Sequence, residues 1–98
     1  MAEPLTLINV FEVPGDEADQ FIAAWEQTRD YLAAQPGYVE TALHQAVSPG
    51  AEFQFVNVAR WRTAEEFWAA IQSPGFREVA AGMAGYRSHP GLYGVVRT

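Results

Sequence analysis

The sequence contains no cysteine, which excludes disulfides, thiolate metal ligands and a cysteine nucleophile. It is also poor in positive charge, with 6 basic residues against 12 acidic ones and a net charge of −6. Because no basic cluster is present, we expect no nucleic-acid binding. No apolar run is long enough to span a membrane, and the opening Met-Ala-Glu-Pro lacks the basic and apolar parts of a signal peptide. We therefore expect a cytoplasmic protein without membrane association.

Apolar and aromatic residues are abundant, at 49% and 13% of the 98 residues. This length fits a single domain over residues 1–98. A domain of this size has a small core, so some of the apolar surface is expected to form an oligomer interface or a ligand cavity.

The periodicity of apolar residues defines the elements. Alternation predicts strands at 5–13, 38–47, 53–61 and a short one at about 91–97. Helical spacing predicts helices at about 16–35 and 62–72, the second interrupted by Ser-Pro-Gly and resumed over 77–85. The order β-α-β-β-α-β predicts a ferredoxin-like α+β fold, with an antiparallel sheet and helices on one face.

Capping and turn residues mark the predicted helix ends. Asp16 is a candidate cap or first-turn acid for the first helix, and Pro36 with Gly37 ends it. Thr63 and Glu66 have the spacing of a capping box at the start of the second helix.

Two asparagines lie on otherwise apolar strand faces. In the segment FQFVNVARW, Asn57 shares a face with aromatic residues, and Asn9 is placed similarly in LTLINVFEV. An unpaired buried amide costs about 1–3 kcal/mol, so each amide has a hidden partner or faces a cavity. Four aromatic residues suit the walls of a flat aromatic slot: Phe11, Trp25, Phe53 and Phe55.

The opposite face of the predicted sheet is apolar and uncovered. Its residues are Thr6, Ile8, Val10, Val56 and Val58. A bare apolar face favours a partner, and a homodimer through this open face is the simplest one.

The sequence offers two histidines as candidate proton acceptors, His44 and His89. Alternation puts His44 on a solvated face with Tyr38, Glu40 and Ala42. His89 precedes Pro90 and is predicted in a loop at the cavity rim. No carboxylate stands at ligand spacing from either histidine, so no metal site is expected.

Four segments resemble the antibiotic biosynthesis monooxygenase family, whose fold is the dimeric α+β barrel. They are INVFEVPGDEADQFIAAW, QPGYVETALH, FVNVARWRTAEEFWAA and SPGFRE, and together they span nearly the whole chain. The family includes cofactor-independent monooxygenases that oxidise polyketide anthrones to quinones, haem-degrading oxygenases and quinol-handling members. Related barrels host cyclases and isomerases, so the fold alone does not choose among these activities.

The resemblance implies a site on the third strand. Asn57 and Trp61 match the pocket Asn and Trp of the anthrone-oxidising members, and Phe67 stands where a hydroxyl is expected. Arg77 and Arg87 are both candidates for the pocket arginine of the family. Asn9 resembles the first-strand asparagine of haem-degrading members, but the region SPGFREVAAGMAG has no histidine to bind iron, so haem is not expected.

The function implied is a cofactor-independent monooxygenase that oxidises a polycyclic aromatic, anthrone-type substrate with O₂ to a quinone. The catalytic candidates are Asn57, Trp61 and Asn9. The substrate-binding candidates are Phe11, Trp25, Phe53, Phe55, Phe67, Arg87 and His89. Alternatives are a cyclase or isomerase that uses His89 or a tyrosine, a non-catalytic barrel that binds aromatic ligands, and an enzyme that uses reduced flavin supplied by a partner.

Overall fold

The computed structural model describes residues 4–98. The expected absence of a leader depends on residues 1–3, which lie outside the described residues. The strands are β1 (Leu5–Glu12), β2 (Tyr38–Gln45), β3 (Phe55–Trp61) and β4 (Arg87–Tyr93). The helices are α1 (Ala18–Ala33), α2 (Ala64–Ile71) and α3 (Pro74–Ala80), with single 3₁₀ turns at Gly15–Glu17 and Ala81–Met83.

The four strands form one antiparallel sheet in the order β2-β3-β1-β4. The helices cover one face of this sheet, so the predicted ferredoxin-like α+β fold is confirmed. The stripe predicted on α1 is confirmed too, because Phe21, Trp25 and Thr28 are buried against the sheet and Leu32 packs beside them.

The bounds of two elements were predicted wrongly by three residues or more, and β3 begins at Phe55 rather than at residue 53. The last strand covers Arg87–Tyr93 and not 91–97, because Pro90 lies within an edge strand, where a missing N–H is tolerated. Helix α3 begins at Pro74 and not at residue 77. Ser73 caps it by accepting from the Phe76 N–H at 3.3 Å, and proline suits the first helical position.

Thr63 caps α2, as the spacing of Thr63 and Glu66 predicted. The Thr63 hydroxyl accepts from the Glu66 N–H at 3.1 Å, and the same hydroxyl donates to Glu66 Oε1 at 3.1 Å. Asp16 lies in a 3₁₀ turn and makes no cap bond. Gly37 has a φ of +91°, which fits the predicted chain reversal before β2.

A β-bulge changes the face that Tyr38 occupies. The register of β2 against β3 shifts between Tyr38 and Glu40, and Tyr38 pairs with Trp61. The extra residue in the bulge turns the Tyr38 ring toward the helix side, where its ring meets Trp61 edge-on at 5.7 Å. The prediction that Tyr38 shares a face with His44 was therefore wrong, whereas His44 is exposed as expected.

The core is divided into two clusters along the sheet. One contains Leu7, Ala59, Trp61, Phe67 and Ala70, and the other contains Phe11, Val13, Phe21, Trp25 and Phe55. On β1, Asn9 lies between Leu7 and Phe11, and on β3, Asn57 lies between Phe55 and Ala59. The two amides therefore occupy the gap between the clusters.

Within residues 4–98, no element covers the other sheet face. Its central residues Ile8, Val10, Val56 and Val58 are only partly buried, and they are adjacent across the β1–β3 pairing. Within residues 4–98, no helix has the length and apolar character needed to cross a membrane.

Candidate active site

A cavity of about 610 Å³ lies between the helices and the inner face of the sheet. This volume is within the range of about 300–1,000 Å³ that small-molecule sites occupy. Six of the ten predicted site residues line it: Asn9, Phe11, Trp25, Asn57, Trp61 and Phe67. Helices α1, α2 and α3 supply the rest of its roof through residues such as Thr28, Ile71 and Phe76.

Asn9 and Asn57 face each other directly across the β1–β3 pairing. Opposite residues of an antiparallel pair have Cβ atoms about 4.5–5.5 Å apart, so the two carboxamides are neighbours on the cavity floor. They place polar atoms at the middle of a surface that is otherwise apolar.

Each carboxamide is oriented by a hydrogen bond to its oxygen. The Thr41 hydroxyl on β2 donates to Asn57 Oδ1 at 2.6 Å, and the backbone N–H of His89 on β4 donates to Asn9 Oδ1 at 3.0 Å. Pro90, which has no N–H, stands opposite Asn9 in the β1–β4 pairing. Both asparagines are thus held from the two edge strands.

The two amide nitrogens are left for a ligand. Among residues 4–98 neither Nδ2 has a hydrogen-bond partner, yet no buried side-chain nitrogen or oxygen is unsatisfied. Both NH₂ groups therefore lie at the accessible surface of the cavity. Two amide donors side by side can bind one carbonyl oxygen or oxyanion.

Aromatic rings surround the pair. Trp61 is 1% exposed and packs edge-on against Phe67, with ring centroids 5.5 Å apart. Phe11 and Trp25 close the other end. A planar aromatic ligand would contact ring faces and edges on both sides of the amides.

Two phenols also line the cavity, Tyr38 and Tyr86. Burial raises the pKa of Tyr38, although the charge of Arg29 opposes this rise. Burial also raises the pKa of Tyr86, and the nearby Glu17 carboxylate, which accepts from the Tyr86 hydroxyl at 3.3 Å, adds to the rise. Both phenols are therefore neutral at physiological pH. The Tyr86 hydroxyl donates to Glu17, whereas the Tyr38 hydroxyl can donate to a ligand.

Four predicted site residues lie outside the cavity. Phe55 is 1% exposed and packs against Phe21 in the core, and Phe53 precedes β3. Arg87 and His89 pair with Glu12 and Val10 on β1, which puts both on the open face.

The predicted loop position of His89 at the cavity rim was wrong, because residues 87–93 form a strand and alternation turns this side chain away. The imidazole Nε2 of His89 lies 2.8 Å from Glu12 Oε2. The centroid of the His89 ring lies 5.6 Å from the centroid of the Phe53 ring. Arg77, the other arginine suggested by the resemblance, is exposed on α3 and does not line the cavity.

Sequence reasoning missed several polar residues of the site, among them Thr41, Arg29 and Ser88. Alternation along β2 could have found Thr41, since it lies on the face opposite Glu40 and Ala42. Arg29 follows Trp25 by four residues, which is one helical turn, and so belongs to the same side of α1.

The antiparallel sheet, the helices on one of its faces and the mostly apolar cavity between them define a ferredoxin-like α+β protein. Residues 4–82 match the antibiotic biosynthesis monooxygenase family. The chain therefore belongs to that family, as its sequence segments predicted.

Individual relatives agree with this assignment. A curated protein, deoxynogalonate monooxygenase of Streptomyces nogalater, is 32% identical over 75 residues, which are 76% of this chain but only 61% of that protein. Among solved structures, a Shewanella loihica protein with a provisional monooxygenase assignment is 41% identical, with a TM-score of 0.84 over 100% of this chain and 99% of the other. SnoaB, a cofactor-independent oxygenase from Streptomyces nogalater, is 30% identical, with a TM-score of 0.84 over 99% and 97% of the two chains. These similarities support the assignment of the chain to a family of monooxygenases.

Proposed function

We propose that the protein is a cofactor-independent monooxygenase that oxidises an anthrone-type polycyclic aromatic with O₂ to the quinone. The substrate supplies the electrons. Loss of a proton from its CH₂ group gives a delocalised enolate, which passes one electron to O₂. The resulting substrate radical and superoxide combine into a C–O bond. The O–O bond of this peroxide then breaks with loss of the remaining C–H hydrogen, so that one oxygen atom becomes the quinone carbonyl and the other leaves as water.

The observation that carries this proposal is the pair of free amide nitrogens of Asn9 and Asn57 in an aromatic cavity. An anthrone develops negative charge on its carbonyl oxygen as the proton leaves. Preoriented donors in a mostly apolar site stabilise such charge strongly, because they need no reorganisation during the reaction.

The cavity offers no side-chain base to accept that proton. Among the residues from 4 to 98, its lining includes neither a carboxylate nor an imidazole. Solvent water takes the proton, and the amides make this possible because they lower the pKa of the bound substrate. The cyclase alternative that relied on His89 loses its proposed base, since His89 lies on the opposite sheet face.

Two further features belong to the proposal. The resemblance of the chain to SnoaB, a cofactor-independent oxygenase, supports turnover without haem, metal or reduced flavin. The apolar strip of Ile8, Val10, Val56 and Val58 supports a homodimer through the open sheet face.

The test is oxygen uptake with a neutral dihydroxyanthrone, corrected for its spontaneous oxidation and compared with quinone formed. Asn57→Ala and Trp61→Phe variants are measured beside the wild-type protein. Removal of one oxyanion donor typically costs about 100-fold to 1,000-fold in kcat, and we expect a loss of this order for Asn57→Ala.

The control is Gln20→Ala, which removes a carboxamide from the exposed side of α1. We expect it to keep the wild-type rate. Wild-type turnover by a folded Asn57→Ala variant would show that the amide pair is not the reaction site. Absence of any enzyme-dependent uptake, with and without added reduced flavin, would reject the proposed oxidation and favour a non-catalytic ligand-binding role.

A further inference from the structure

The cavity is nearly free of charge. Among residues 4–98, Arg29 is the only charged residue that lines it. This is notable because the whole chain carries a net charge of −6, with twice as many acidic as basic residues.

Arg29 lies at the mouth of the cavity. A shallower depression between α1 and β2 adjoins the cavity, and Trp25, Arg29 and Thr41 line both. The exposed Glu26 also lines this depression, so Arg29 is the cationic group at the mouth beside one solvated carboxylate. The Arg29 side chain is 36% exposed, and its guanidinium carbon lies 5.4 Å from the centre of the Trp25 ring. The guanidinium thus lies over an aromatic wall of the cavity, in a position that cation–π contact supports.

The hydrogen-bonding capacity of Arg29 is only partly used. Its Nε donates to the exposed carboxylate of the neighbouring Asp30 at 3.0 Å. Within the described part of the chain, the two terminal nitrogens have no recorded partner. Its positive charge acts on a group that lines the cavity, since it opposes the rise in the pKa of the Tyr38 phenol.

We propose that Arg29 binds an acidic substituent of the substrate, so that the natural substrate is a polycyclic aromatic that carries a carboxylate. This inference rests on the proposed aromatic substrate. The ring system lies against Trp61 and Phe67 with one oxygen at the two amides, and the carboxylate lies at the mouth, where a planar guanidinium can take both of its oxygens.

The test measures binding of an unreactive ligand, so that it does not depend on turnover. The ligands are an anthraquinone carboxylate and the carboxamide of the same shape. All three tryptophans of the chain, Trp25, Trp61 and Trp68, line the cavity, so quenching of intrinsic fluorescence reports its occupancy. The proteins are the wild type, Arg29→Gln and a control, Arg77→Gln, which removes an exposed arginine on α3 that does not line the cavity.

We expect the wild-type protein and Arg77→Gln to bind the carboxylate about threefold to tenfold more tightly than the carboxamide, since a partly exposed charge pair is weakened by solvent. In Arg29→Gln this preference should disappear while the carboxamide affinity stays unchanged. The preference should also fall as salt is added.

Equal binding of the two ligands by the wild type would overturn the inference, and so would a preference that Arg29→Gln retains. A preference lost equally in Arg77→Gln would overturn it too, because only the total charge would then matter. The oxidation is tested separately by oxygen uptake with the neutral anthrone. Selective carboxylate binding without oxygen uptake would support the Arg29 assignment and reject only the oxidation.

Discussion

At the residue scale, the Thr41 hydroxyl determines which end of the Asn57 carboxamide faces the cavity. A free carboxamide can rotate and present either its oxygen or its nitrogen to a ligand. The 2.6 Å bond from Thr41 holds the oxygen toward β2, and the nitrogen is therefore directed at the cavity. Thr41 is a positioning residue for Asn57.

A Thr41→Val substitution removes this bond with little change in shape. A neutral hydrogen bond contributes about 0.5–1.5 kcal/mol, so we expect kcat/KM for anthrone oxidation to fall about threefold to tenfold. Thr41→Ser keeps a hydroxyl and should restore most of the rate. If the valine variant keeps wild-type kinetics, Thr41 has no part in orienting the amide.

The sequence was sufficient to place Asn9, Asn57 and Phe11 on the cavity side, because alternation along a strand determines the face on which each residue lies. It wrongly placed Phe53 and Phe55 in the cavity wall, since Phe53 precedes β3 and Phe55 is enclosed in the core.

The sequence was not sufficient for Tyr38, whose face is changed by a bulge that leaves no mark in the local pattern. It also could not show that Arg29 of α1 stands over the same cavity, since that depends on how the helix packs on the sheet.

At the element scale, α2 depends on the Thr63 cap at its first turn, and this helix holds Phe67 and Trp68 at the cavity. Thr63→Ala removes the hydroxyl that accepts from the Glu66 N–H. We expect a loss of about 1 kcal/mol in the free energy of unfolding, measured by urea denaturation. Thr63→Ser retains the cap and should lose much less. An unchanged urea midpoint in the alanine variant would mean that this cap does not stabilise α2.

Glu66 gives this turn a dependence on pH. Hydrogen bonds from Arg62, which reaches Glu66 Oε1 from Nε at 3.0 Å, lower the pKa of the Glu66 carboxyl, and the Thr63 hydroxyl adds to this effect. Because the folded state then binds the proton less readily than the unfolded chain, this contribution to stability is complete above the ordinary glutamate pKa of about 4.3. It is lost as the pH falls through the lowered value.

We therefore expect Glu66→Gln to be less stable than the wild type at neutral pH and nearly equal to it in acid. Urea midpoints measured across that pH range would show the two curves converging. Glu65→Gln is the control, because Glu65 is exposed and has no recorded hydrogen-bond partner in residues 4–98. A difference between Glu66→Gln and the wild type that persists unchanged in acid would contradict this account.

The final strand shows why element bounds can escape a reading of the sequence. The segment His-Pro-Gly combines two residues that are rare in strands, so 87–90 resembled a loop. Tertiary context overrides that preference, because an edge strand needs hydrogen bonds on one side only.

At the scale of the whole molecule, we expect a second copy of the chain to bind the open sheet face and cover the apolar strip of Ile8, Val10, Val56 and Val58. Val58→Asp places a charge in the middle of that strip, and a buried unpaired charge would be costly in a face-to-face dimer. We expect light scattering after gel filtration to give the mass of a dimer for the wild type and of a monomer for the variant.

The control for this experiment is Val47→Asp. Val47 is 97% exposed in the segment between β2 and β3, so the substitution introduces the same charge away from the sheet face. It should remain dimeric. If the Val58→Asp variant is still a dimer, the interface lies elsewhere on the molecule. If the wild-type protein is a monomer, no second copy covers the open face.

Pro90 has a consequence for the behaviour of the protein at high concentration. His89 directs its N–H toward β1, and successive amides of a strand point to opposite sides, so the donor missing at Pro90 is missing from the outer edge of the sheet. An outer edge with an interrupted row of donors is a poor template for a strand from another molecule. The same proline that made β4 hard to find in the sequence therefore makes the β4 edge a poor starting point for extended sheets.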